Sequence, residues 1–486
     1  MELVDNKTDY EFRLNQFVND ERSAINLISC VGDLMYGKSV ELILFRNPLV
    51  DKNISEILKL HKVAKSIAYN PVSIQETTAI AKELCNLNLP PSKLDIGKLA
   101  SEWSLEKTNF NSQLDFLKAK LVGFDNKDAH VIAPKDVVLY GFGRIGRLAA
   151  RELIKQAGKG QQLRLKAIVT RGVTPETILK RAALLRNDSV HGLFSGTVDE
   201  DLKNNALIIN GQIVKMIDAS NPEDIDYTAY GIHDALIIDN TGVFKDKTSL
   251  SRHLKSKGAS KVLLTAPGKE VPNIVYGINE NEFNVDEIAI FSAASCTTNA
   301  IAPILYTIEN KLGIIKGHIE TVHAYTNDQN LLDNMHKKPR RGRSAAINMV
   351  ITSTGAGDAV TKVVPSLKDK LTANAVRVPT PNGSLAILNL NVTKETSVDD
   401  VNEIIRRAAL EGILVNQIKY ENDPELVSND IIGNTCCSVF DSKATIVSKD
   451  HKNIVLYVWY DNEFGYTKQV IRLAKHITKV RRLIYY

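Results

Sequence analysis

The sequence predicts an α/β protein in which a mainly α-helical region comes first. A domain built on a doubly wound parallel sheet follows, and then an α+β domain with a larger antiparallel sheet. From Val137 onward, short apolar runs alternate with helical segments, a pattern typical of parallel sheets. After Thr297, longer runs such as GHIETVHAYT and SLAILNLNVTKE alternate apolar with polar residues, which indicates antiparallel strands. A length of 486 residues favours about three domains.

Composition excludes several classes of protein. Hydrophobic residues make up 44% and charged residues 24%, which are globular values. A net charge of +5 is too small to predict nucleic-acid binding. The five cysteines are odd in number and lack CxxC spacing, so we expect neither a disulfide framework nor a zinc site. With no signal-like start and no run of 18 apolar residues, we expect a cytoplasmic protein without a membrane span.

Residues 1–130 form the N-terminal extension. Apolar residues at helical spacing predict helices over 9–28, 53–68, 73–85 and 104–121. Ser73 and Glu76 match a capping box, while SVELILF near Ser39 fits either a strand or a helix. The region holds no cluster of catalytic residue types, so we interpret it as a scaffold or an oligomerisation cap. The segment 123–136 is the predicted linker.

A glycine-rich turn opens the next domain. Gly141, Gly143 and Gly146 have G-x-G-x-x-G spacing between an apolar strand and an amphipathic helix. This arrangement predicts a Rossmann-type site for a dinucleotide, whose phosphates would lie at the helix N-terminus. The alternative is a tight turn without a ligand. The predicted boundaries are 131–294 for the dinucleotide-binding domain, 295–461 for the catalytic domain, and 462–486 for a helix returning to the former.

The end of the second strand bears on cofactor choice. A carboxylate for the ribose 2′-hydroxyl is expected there, but Thr170 and Arg171 stand in its place. A hydroxyl and a guanidinium suit a 2′-phosphate, so we expect NAD or NADP with NADP favoured. The alternative is that Arg171 is a solvated loop charge.

Cys296 is the candidate nucleophile, in SAASCTTNAIAP between a strand and a helix. Free amides at a helix start are expected to lower the pKa of its thiol. His323 in ETVHAYTND is the candidate base, expected to meet Cys296 in space, and His191 is a rival. The alternative for Cys296 is a small buried residue. We interpret Cys436 and Cys437 as structural.

Groups suited to binding anions follow in the second half. They include Thr326, Asp328, Arg377, the basic loop DNMHKKPRRGRS and the turn STGAGDA. The basic loop also fits a solvated or interface surface. An RNA contact is disfavoured because no aromatic residues interleave the basic ones.

Residues 135–480 resemble the phosphorylating glyceraldehyde-3-phosphate dehydrogenases. The resemblance rests on GFGRIGR, NDSVHG, NTGVF, SCTTN, TVHAYTND, STGAG, RVPTPNGS and WYDNEFGY, in that order. It implies NAD(P)-dependent oxidation of a phosphorylated aldehyde with uptake of inorganic phosphate, and usually a homotetramer.

The resemblance also assigns roles to residues. It makes Cys296 the nucleophile and His323 the base. The substrate and phosphate positions it implies are Ser295, Thr297, Thr326, Asp328, Arg341, Thr354, Gly355 and Arg377, with Arg340 or Arg343 as alternatives to Arg341. The cofactor positions are Gly141, Phe142, Gly143, Arg144, Ile145, Gly146, Thr170, Arg171, Thr241, Gly242, Thr265 and Asn462.

Three residues depart from the family pattern, namely Tyr140, Ala293 and Ala300. They bear on cofactor choice and not on the chemistry. The rival enzymes are erythrose-4-phosphate dehydrogenase, which needs little phosphate, and a semialdehyde dehydrogenase. A third alternative is an inactive redox-sensing or RNA-binding protein on the same fold.

Overall fold

The computed structural model describes residues 6–67, 72–124, 132–158 and 160–486. The helices of these residues are α1 Asn6–Lys38, α2 Ile54–Ile67, α3 Ile74–Asn86, α4 Ile96–Glu106, α5 Gln113–Lys120, α6 Arg144–Gln156, α7 Pro175–Arg186, α8 Lys247–Leu250, α9 Cys296–Leu312, α10 Ala356–Thr361, α11 Val398–Leu410 and α12 Phe464–Ile477. The strands are β1 Val40–Leu44, β2 Asn47–Pro48, β3 Ser92–Asp95, β4 Lys135–Tyr140, β5 Leu163–Thr170, β6 Asn187–Asp188, β7 Gly192–Leu193, β8 Val198–Asp201, β9 Ala206–Ile209, β10 Gln212–Asp218, β11 Ala235–Asp239, β12 Ala259–Leu264, β13 Ile290–Ser292, β14 Ile314–Ala324, β15 Val350–Thr352, β16 Leu371–Val378, β17 Ser384–Val392, β18 Ile418–Glu421, β19 Ser438–Asp441, β20 Ile446–Val447, β21 Asn453–Tyr460 and β22 Leu483–Tyr485.

The chain divides into two compact units. The first comprises Met1–Pro134, Ala157–Gln162 and Val480–Tyr486, and the second comprises Lys135–Gln156 and Leu163–Lys479. The first unit contains a sheet in the order β2-β1-β3-β22, in which β1, β3 and β22 are parallel. Helices α1 to α5 supply much of its core, including Leu27, Leu34, Ile80, Leu99 and Phe116.

The first unit is helical as predicted, but it also holds the small sheet. SVELILF contains the strand β1, whose five residues are all buried, and SKLD forms β3. The capping box of α3 is present, because the Ser73 hydroxyl accepts from the Glu76 N–H and the Glu76 carboxylate accepts from the Ser73 N–H. The predicted helix 104–121 is two helices, since Ser112 caps a new one by accepting from the Asp115 N–H. Most of the predicted linker, and residue 68 of the second predicted helix, lie outside the described residues.

The second unit begins with an eight-stranded sheet in the order β13-β12-β11-β4-β5-β10-β9-β8. Neighbours from β13 to β10 are parallel, and the pairs β10–β9 and β9–β8 are antiparallel. The runs ALIIN, DALIIDN, KVLLTAP and EIAIFSA contain β9, β11, β12 and β13. This is the doubly wound parallel sheet that the sequence predicts.

A second, antiparallel-rich sheet follows, in the order β15-β16-β14-β17-β21-β19-β18, with β20 beside β21. Helix α9 packs on this sheet through a fully buried face that includes Ile301, Ile304, Leu305 and Ile308. Burial of that face fixes the position of Cys296, the first residue of α9.

The predicted segment 462–486 is divided between the units. Helix α12 contacts α6 of the second unit, where the Lys468 ammonium pairs with the Glu152 carboxylate. Residues 480–486 belong to the first unit instead, because β22 pairs with β3. Part of this prediction was therefore wrong, since the backbone of β22 completes a different sheet.

The described ranges contain no helix with both the length and the apolar character needed to cross a membrane.

Candidate active site

The start of α9 holds the candidate nucleophile. Ser295 is the N-cap, and its hydroxyl accepts from the Thr298 N–H at 2.9 Å. The Ser295 hydroxyl also lies 2.8 Å from the Thr298 hydroxyl, so it serves the cap. Cys296 is half-buried, and Thr297 turns its hydroxyl toward Tyr460 OH, 3.2 Å away.

His323 lies against this thiol. Its Nε2 is 3.7 Å from Cys296 Sγ, so the structure brings together the two residues that the sequence pairs. Strands β14 and β16 are parallel and put His323 directly opposite Arg377 in register. The His323 Nδ1 lies 2.7 Å from the Ala324 carbonyl oxygen, which also accepts from Arg377 Nη1 at 2.7 Å. That carbonyl can only accept and favours a proton on Nδ1, whereas Arg377 Nη1 can only donate and lies 2.7 Å from the same nitrogen, so these contacts orient the ring without fixing its tautomer. Nε2 is the ring nitrogen that faces the thiol.

Burial keeps both reacting groups neutral. It lowers the pKa of His323 to about 3, and the positive charges of Arg377 and Arg341 act in the same direction. Burial also raises the pKa of the Cys296 thiol, although Arg377 and hydrogen bonds from Thr297 lower it. The expected lowering of the thiol pKa by the helix start is therefore not the net result, because desolvation outweighs the amides.

Positive charge is in excess beside this pair. Burial and the nearby Arg341 lower the pKa of Arg377. Its Nη1 also lies 2.7 Å from His323 Nδ1, and its Nε is buried without a hydrogen-bond partner among the described residues. Arg341 donates to Asp328 and, at 3.0 Å, to the Thr352 hydroxyl. A buried guanidinium with an unused donor suits a bound anion.

The arginines of the basic loop differ in their surroundings. Arg341 is half-buried and acts electrostatically on His323 and Arg377, whereas Arg343 is exposed and pairs with Asp333 at 2.9 Å. Arg340 is exposed. The structure thus favours Arg341 over its two neighbours as the anion contact.

The remaining predicted anion positions lie on loops of the same unit. Thr326 is half-buried after the end of β14, and Asp328 is exposed two residues later. Gly355 is the N-cap of α10, and the Thr354 hydroxyl accepts from the Ala356 N–H at 3.2 Å.

The glycine-rich turn has the form that a dinucleotide requires. Gly141 has a φ of +96°, which disfavours other residues, and a Cβ on Gly146 would lie 2.5 Å from the Gly141 carbonyl oxygen. A Cβ on Gly143 would meet nothing within 4 Å. The turn is therefore tight on the protein side and open on the other side, which fits a bound pyrophosphate. Phe142 and Ile145 complete the turn, while the Arg144 side chain binds Glu463 and Asp188.

The carboxylate of Asp218 lies on the strand next to Thr170, although the two residues are far apart in the sequence. Asp218, at the end of β10, is opposite Thr170 in register, and it accepts from the N–H groups of Gly172 and Val173 at 2.9 and 3.2 Å. The Thr170 hydroxyl is buried without a partner among the described residues. Arg171 is exposed, and its carbonyl accepts from Arg181 at 2.9 Å.

Asp239 organises the next cofactor segment from the end of β11. Its carboxylate accepts from the N–H and the hydroxyl of Thr241 at 2.8 and 2.7 Å, ahead of Gly242. Its carbonyl accepts from the Thr265 hydroxyl at 3.0 Å. Buried His253 contacts the same carboxylate at 2.9 Å.

The loop after β21 carries Asn462, whose Oδ1 accepts from the Ser384 hydroxyl at 2.8 Å. Glu463 follows and lies 3.0 Å from Nε2 of His191. The rival base His191 is therefore engaged by a carboxylate, and nothing in its surroundings brings it to Cys296.

Sequence reasoning missed Tyr460, Ser384, Asp218 and Glu463. Tyr460 and Glu463 lie inside WYDNEFGY, and Ser384 ends RVPTPNGS, so all three belong to motifs that carry the family resemblance. Asp218 had a weaker signal, as a polar residue ending the strand after β9.

Comparison with known proteins matches two family models. Residues 135–247 match "Glyceraldehyde 3-phosphate dehydrogenase, NAD binding domain", and residues 295–462 match the C-terminal domain of the same enzyme. A Pseudomonas aeruginosa (strain UCBPP-PA14) protein named "Glyceraldehyde-3-phosphate dehydrogenase-like protein" is 47% identical over 460 residues, covering 93% of this chain and 98% of that protein. The chloroplastic glyceraldehyde-3-phosphate dehydrogenase A of Zea mays is 42% identical over 70% of this chain and 81% of its own length. Glyceraldehyde-3-phosphate dehydrogenase 2 of Trichormus variabilis (strain ATCC 29413 / PCC 7937) is 40% identical over 71% of this chain and 98% of its own length.

Proposed function

The chain belongs to the glyceraldehyde-3-phosphate dehydrogenase family, and from that premise we propose that it converts D-glyceraldehyde 3-phosphate and inorganic phosphate reversibly to 1,3-bisphosphoglycerate. The observation that carries this proposal is the half-buried Arg377, which touches His323 and whose buried Nε is an unused donor among the described residues. A guanidinium beside a Cys–His pair suits an aldehyde that carries its own phosphate.

Cys296 is the proposed nucleophile and His323 the proposed proton acceptor. His323 Nε2, 3.7 Å from Sγ, takes the thiol proton as the sulfur adds to the aldehyde carbon, and passing that proton to the carbonyl oxygen gives the thiohemiacetal. His323 takes the hydroxyl proton again when hydride leaves the same carbon. Bound substrate phosphate would offset the positive charge that lowers the pKa of His323. The base therefore becomes stronger when the substrate is in place.

Backbone amides at the start of α9 are the proposed oxyanion donors. The N–H groups of Cys296 and Thr297 act to lower the pKa of the Cys296 thiol, against the larger effect of burial. They lie at the N-terminus of a 17-residue helix, where the helix dipole favours negative charge. Ser295, Thr297, Thr354 and Gly355 are the proposed contacts of the inorganic phosphate that attacks the Cys296 thioester.

A nicotinamide dinucleotide would be held by the Gly141–Gly146 turn, by Thr241, Gly242 and Thr265, and by Asn462. When bound, it supplies the hydride acceptor that turns the Cys296 thiohemiacetal into a thioester.

NADP is the proposed preferred form. The unpartnered Thr170 hydroxyl and the exposed Arg171 support this proposal, while the carboxylate of Asp218 opposes it. The ratio of KM for NADP to KM for NAD tests it. Arg171→Ala should raise the ratio, and Asp218→Asn, which removes a negative charge from the same loop, should lower it. An unchanged ratio in Arg171→Ala would contradict the preference.

A homotetramer is the proposed assembly. The segment 331–349 exposes Leu332, Met335, Ile347 and Met349, each at 75% or more. Exposed apolar clusters of this kind are typical of protein interfaces. Light scattering coupled to gel filtration measures the mass directly, and a monomer would contradict the proposal.

The central experiment measures NAD and NADP reduction with glyceraldehyde 3-phosphate, each with and without inorganic phosphate. The proposed function predicts turnover that depends on phosphate. Turnover indifferent to phosphate would favour an erythrose-4-phosphate or hydrolytic aldehyde dehydrogenase instead. Cys296→Ser, which leaves the fold intact, is the control for background reduction.

A further inference from the structure

Ser384 carries a buried hydroxyl that contacts both Ala324 and Asn462 near the active site. It begins β17, where it is fully buried and lies opposite Tyr460 in register. Its Oγ accepts from the Ala324 N–H at 3.1 Å and donates to Asn462 Oδ1 at 2.8 Å.

The Asn462 amide faces this hydroxyl with its oxygen, which accepts from Ser384 Oγ. A serine hydroxyl has a single hydrogen, and the carbonyl oxygen of an amide can only accept. With that hydrogen directed to Oδ1, the Nδ2 group faces the opposite way. Nδ2 makes no hydrogen bond within the part of the chain that the structure describes, and it is not a buried orphan, so its two hydrogens are available to a ligand.

The same hydroxyl acts on the strand that carries the base. The Ala324 peptide donates to Ser384 through its N–H, and its carbonyl accepts from His323 Nδ1 and Arg377 Nη1. Ser384 thus connects the residue proposed to hold the nicotinamide with the peptide that orients His323.

We propose that Ser384 is a positioning residue that locks the Asn462 amide with Nδ2 toward the nicotinamide carboxamide and so keeps one face of the ring toward Cys296. This inference rests on the proposed function, because the role of Asn462 belongs to it. Without the hydroxyl, the Asn462 amide can turn over and present an acceptor where the carboxamide oxygen needs a donor.

Binding of two ligands separates this role from a general structural one. NAD carries the nicotinamide and ADP-ribose lacks it, so calorimetric titration of the apoprotein with each isolates the contribution of the ring. Ser384→Ala should weaken NAD about three- to tenfold, the effect of one hydrogen bond, and leave ADP-ribose unchanged. Ser384→Thr, which keeps the hydroxyl, should restore NAD binding.

The face of hydride transfer is a second readout. With aldehyde deuterated at C1, proton NMR of the reduced dinucleotide shows which face received deuterium. We expect one face in the wild type and in Ser384→Thr, and both faces in Ser384→Ala.

The proposal is overturned if Ser384→Ala weakens NAD and ADP-ribose equally, or weakens neither, while Asn462→Ala selectively weakens NAD. If Asn462→Ala also leaves NAD binding unchanged, the assigned role of Asn462 fails as well. Loss of phosphate-dependent turnover by the wild type would contradict the proposed function alone, since the two titrations require no catalysis.

Discussion

Asp95 and His323 are buried ionisable groups near the ends of strands in different units, and their surroundings differ in charge. Asp95 ends β3 in the first unit and is fully buried. It accepts from four N–H groups at 2.9–3.2 Å, those of Phe45, Arg46, Gly97 and Lys98, and from the Arg46 guanidinium at 2.6 Å. His323, near the end of β14 in the second unit, lies beside Arg377 and under the influence of Arg341.

The difference separates a structural site from a reactive one. Around Asp95 every hydrogen bond places a donor against the carboxylate, so its negative charge is compensated within the protein and needs no ligand. Around His323 the positive charges reinforce one another and lower its pKa to about 3, and the Arg377 Nε lacks a partner among the described residues. An excess of positive charge of this kind is typical of a functional site that binds an anionic ligand.

The largest expected effect comes from the reactive site. His323→Asn should lower kcat by about 10²–10⁴-fold, because it removes the basic nitrogen that lies 3.7 Å from the Cys296 thiol. His318→Asn is the matched control, since His318 lies on the same strand, is exposed and contacts Thr372. Steady-state kinetics checks both variants. Equal losses in the two would mean that the strand, and not the base, is responsible.

Substitution of Asp95 should lower the free energy of unfolding and leave the catalytic rate unchanged. Asp95→Asn removes the buried negative charge that pairs with Arg46 and accepts from four backbone N–H groups, and should destabilise the first unit by about 3 kcal/mol. Trp103 lies in this unit and Trp459 in the other, so urea unfolding followed by fluorescence in a Trp459→Phe background reports the first unit. Asp9→Asn, which breaks an exposed pair with Arg13, should have no measurable effect. Equal urea midpoints for Asp95→Asn and Asp9→Asn would mean that the buried Asp95 contributes no more to stability than an exposed carboxylate.

A smaller effect is expected on the pKa values of Cys296 and His323 when the positive charge of Arg377 is removed. Arg377 lowers the pKa of both Cys296 and His323, so Arg377→Gln should raise both pKa values. The rate of Cys296 alkylation by iodoacetamide, measured against pH, should therefore move its midpoint upward. Arg343→Gln, which removes an exposed arginine paired with Asp333, should leave the midpoint in place. A midpoint that falls in Arg377→Gln would contradict the charge imbalance.

The smallest effect concerns a helix cap in the first unit. Ser73→Ala removes the acceptor for the Glu76 N–H and should cost about 1 kcal/mol of unfolding free energy. The same Trp103 assay measures it, and Ser73→Asn, which retains a capping oxygen, should recover most of the loss. A loss as large as that of Asp95→Asn would show that the cap does more than satisfy one amide.

Local patterns predicted much of this structure. The α/β fold class, the Ser73 capping box and the glycine-rich turn depend on residues close in sequence, and the structure contains all three. The Cys296–His323 contact spans 27 residues and was still expected, because a single helix and strand connect the two.

Other features depend on pairings between distant strands. The contact of Arg377 with His323 follows from parallel pairing of β14 with β16, and Asp218 reaches the Thr170 loop only because β10 lies beside β5. The sheet of the first unit was missed because its strands are short and one of them, β22, lies far along the chain. The raised pKa of Cys296 depends on the degree of burial, which no motif reveals.

The strand β22 has a consequence for synthesis. It pairs with β3, placing Leu483 opposite Ser92, and beside this pairing Lys98 of α4 donates to the Tyr486 carbonyl, 388 positions away in the chain. At about 5–20 residues per second, a ribosome needs roughly 20–80 seconds to make the intervening polypeptide. During that interval one edge of β3 has no neighbour, and an open strand edge favours pairing with other nascent chains. The sheet of the first unit is therefore complete only after the second unit has been synthesised.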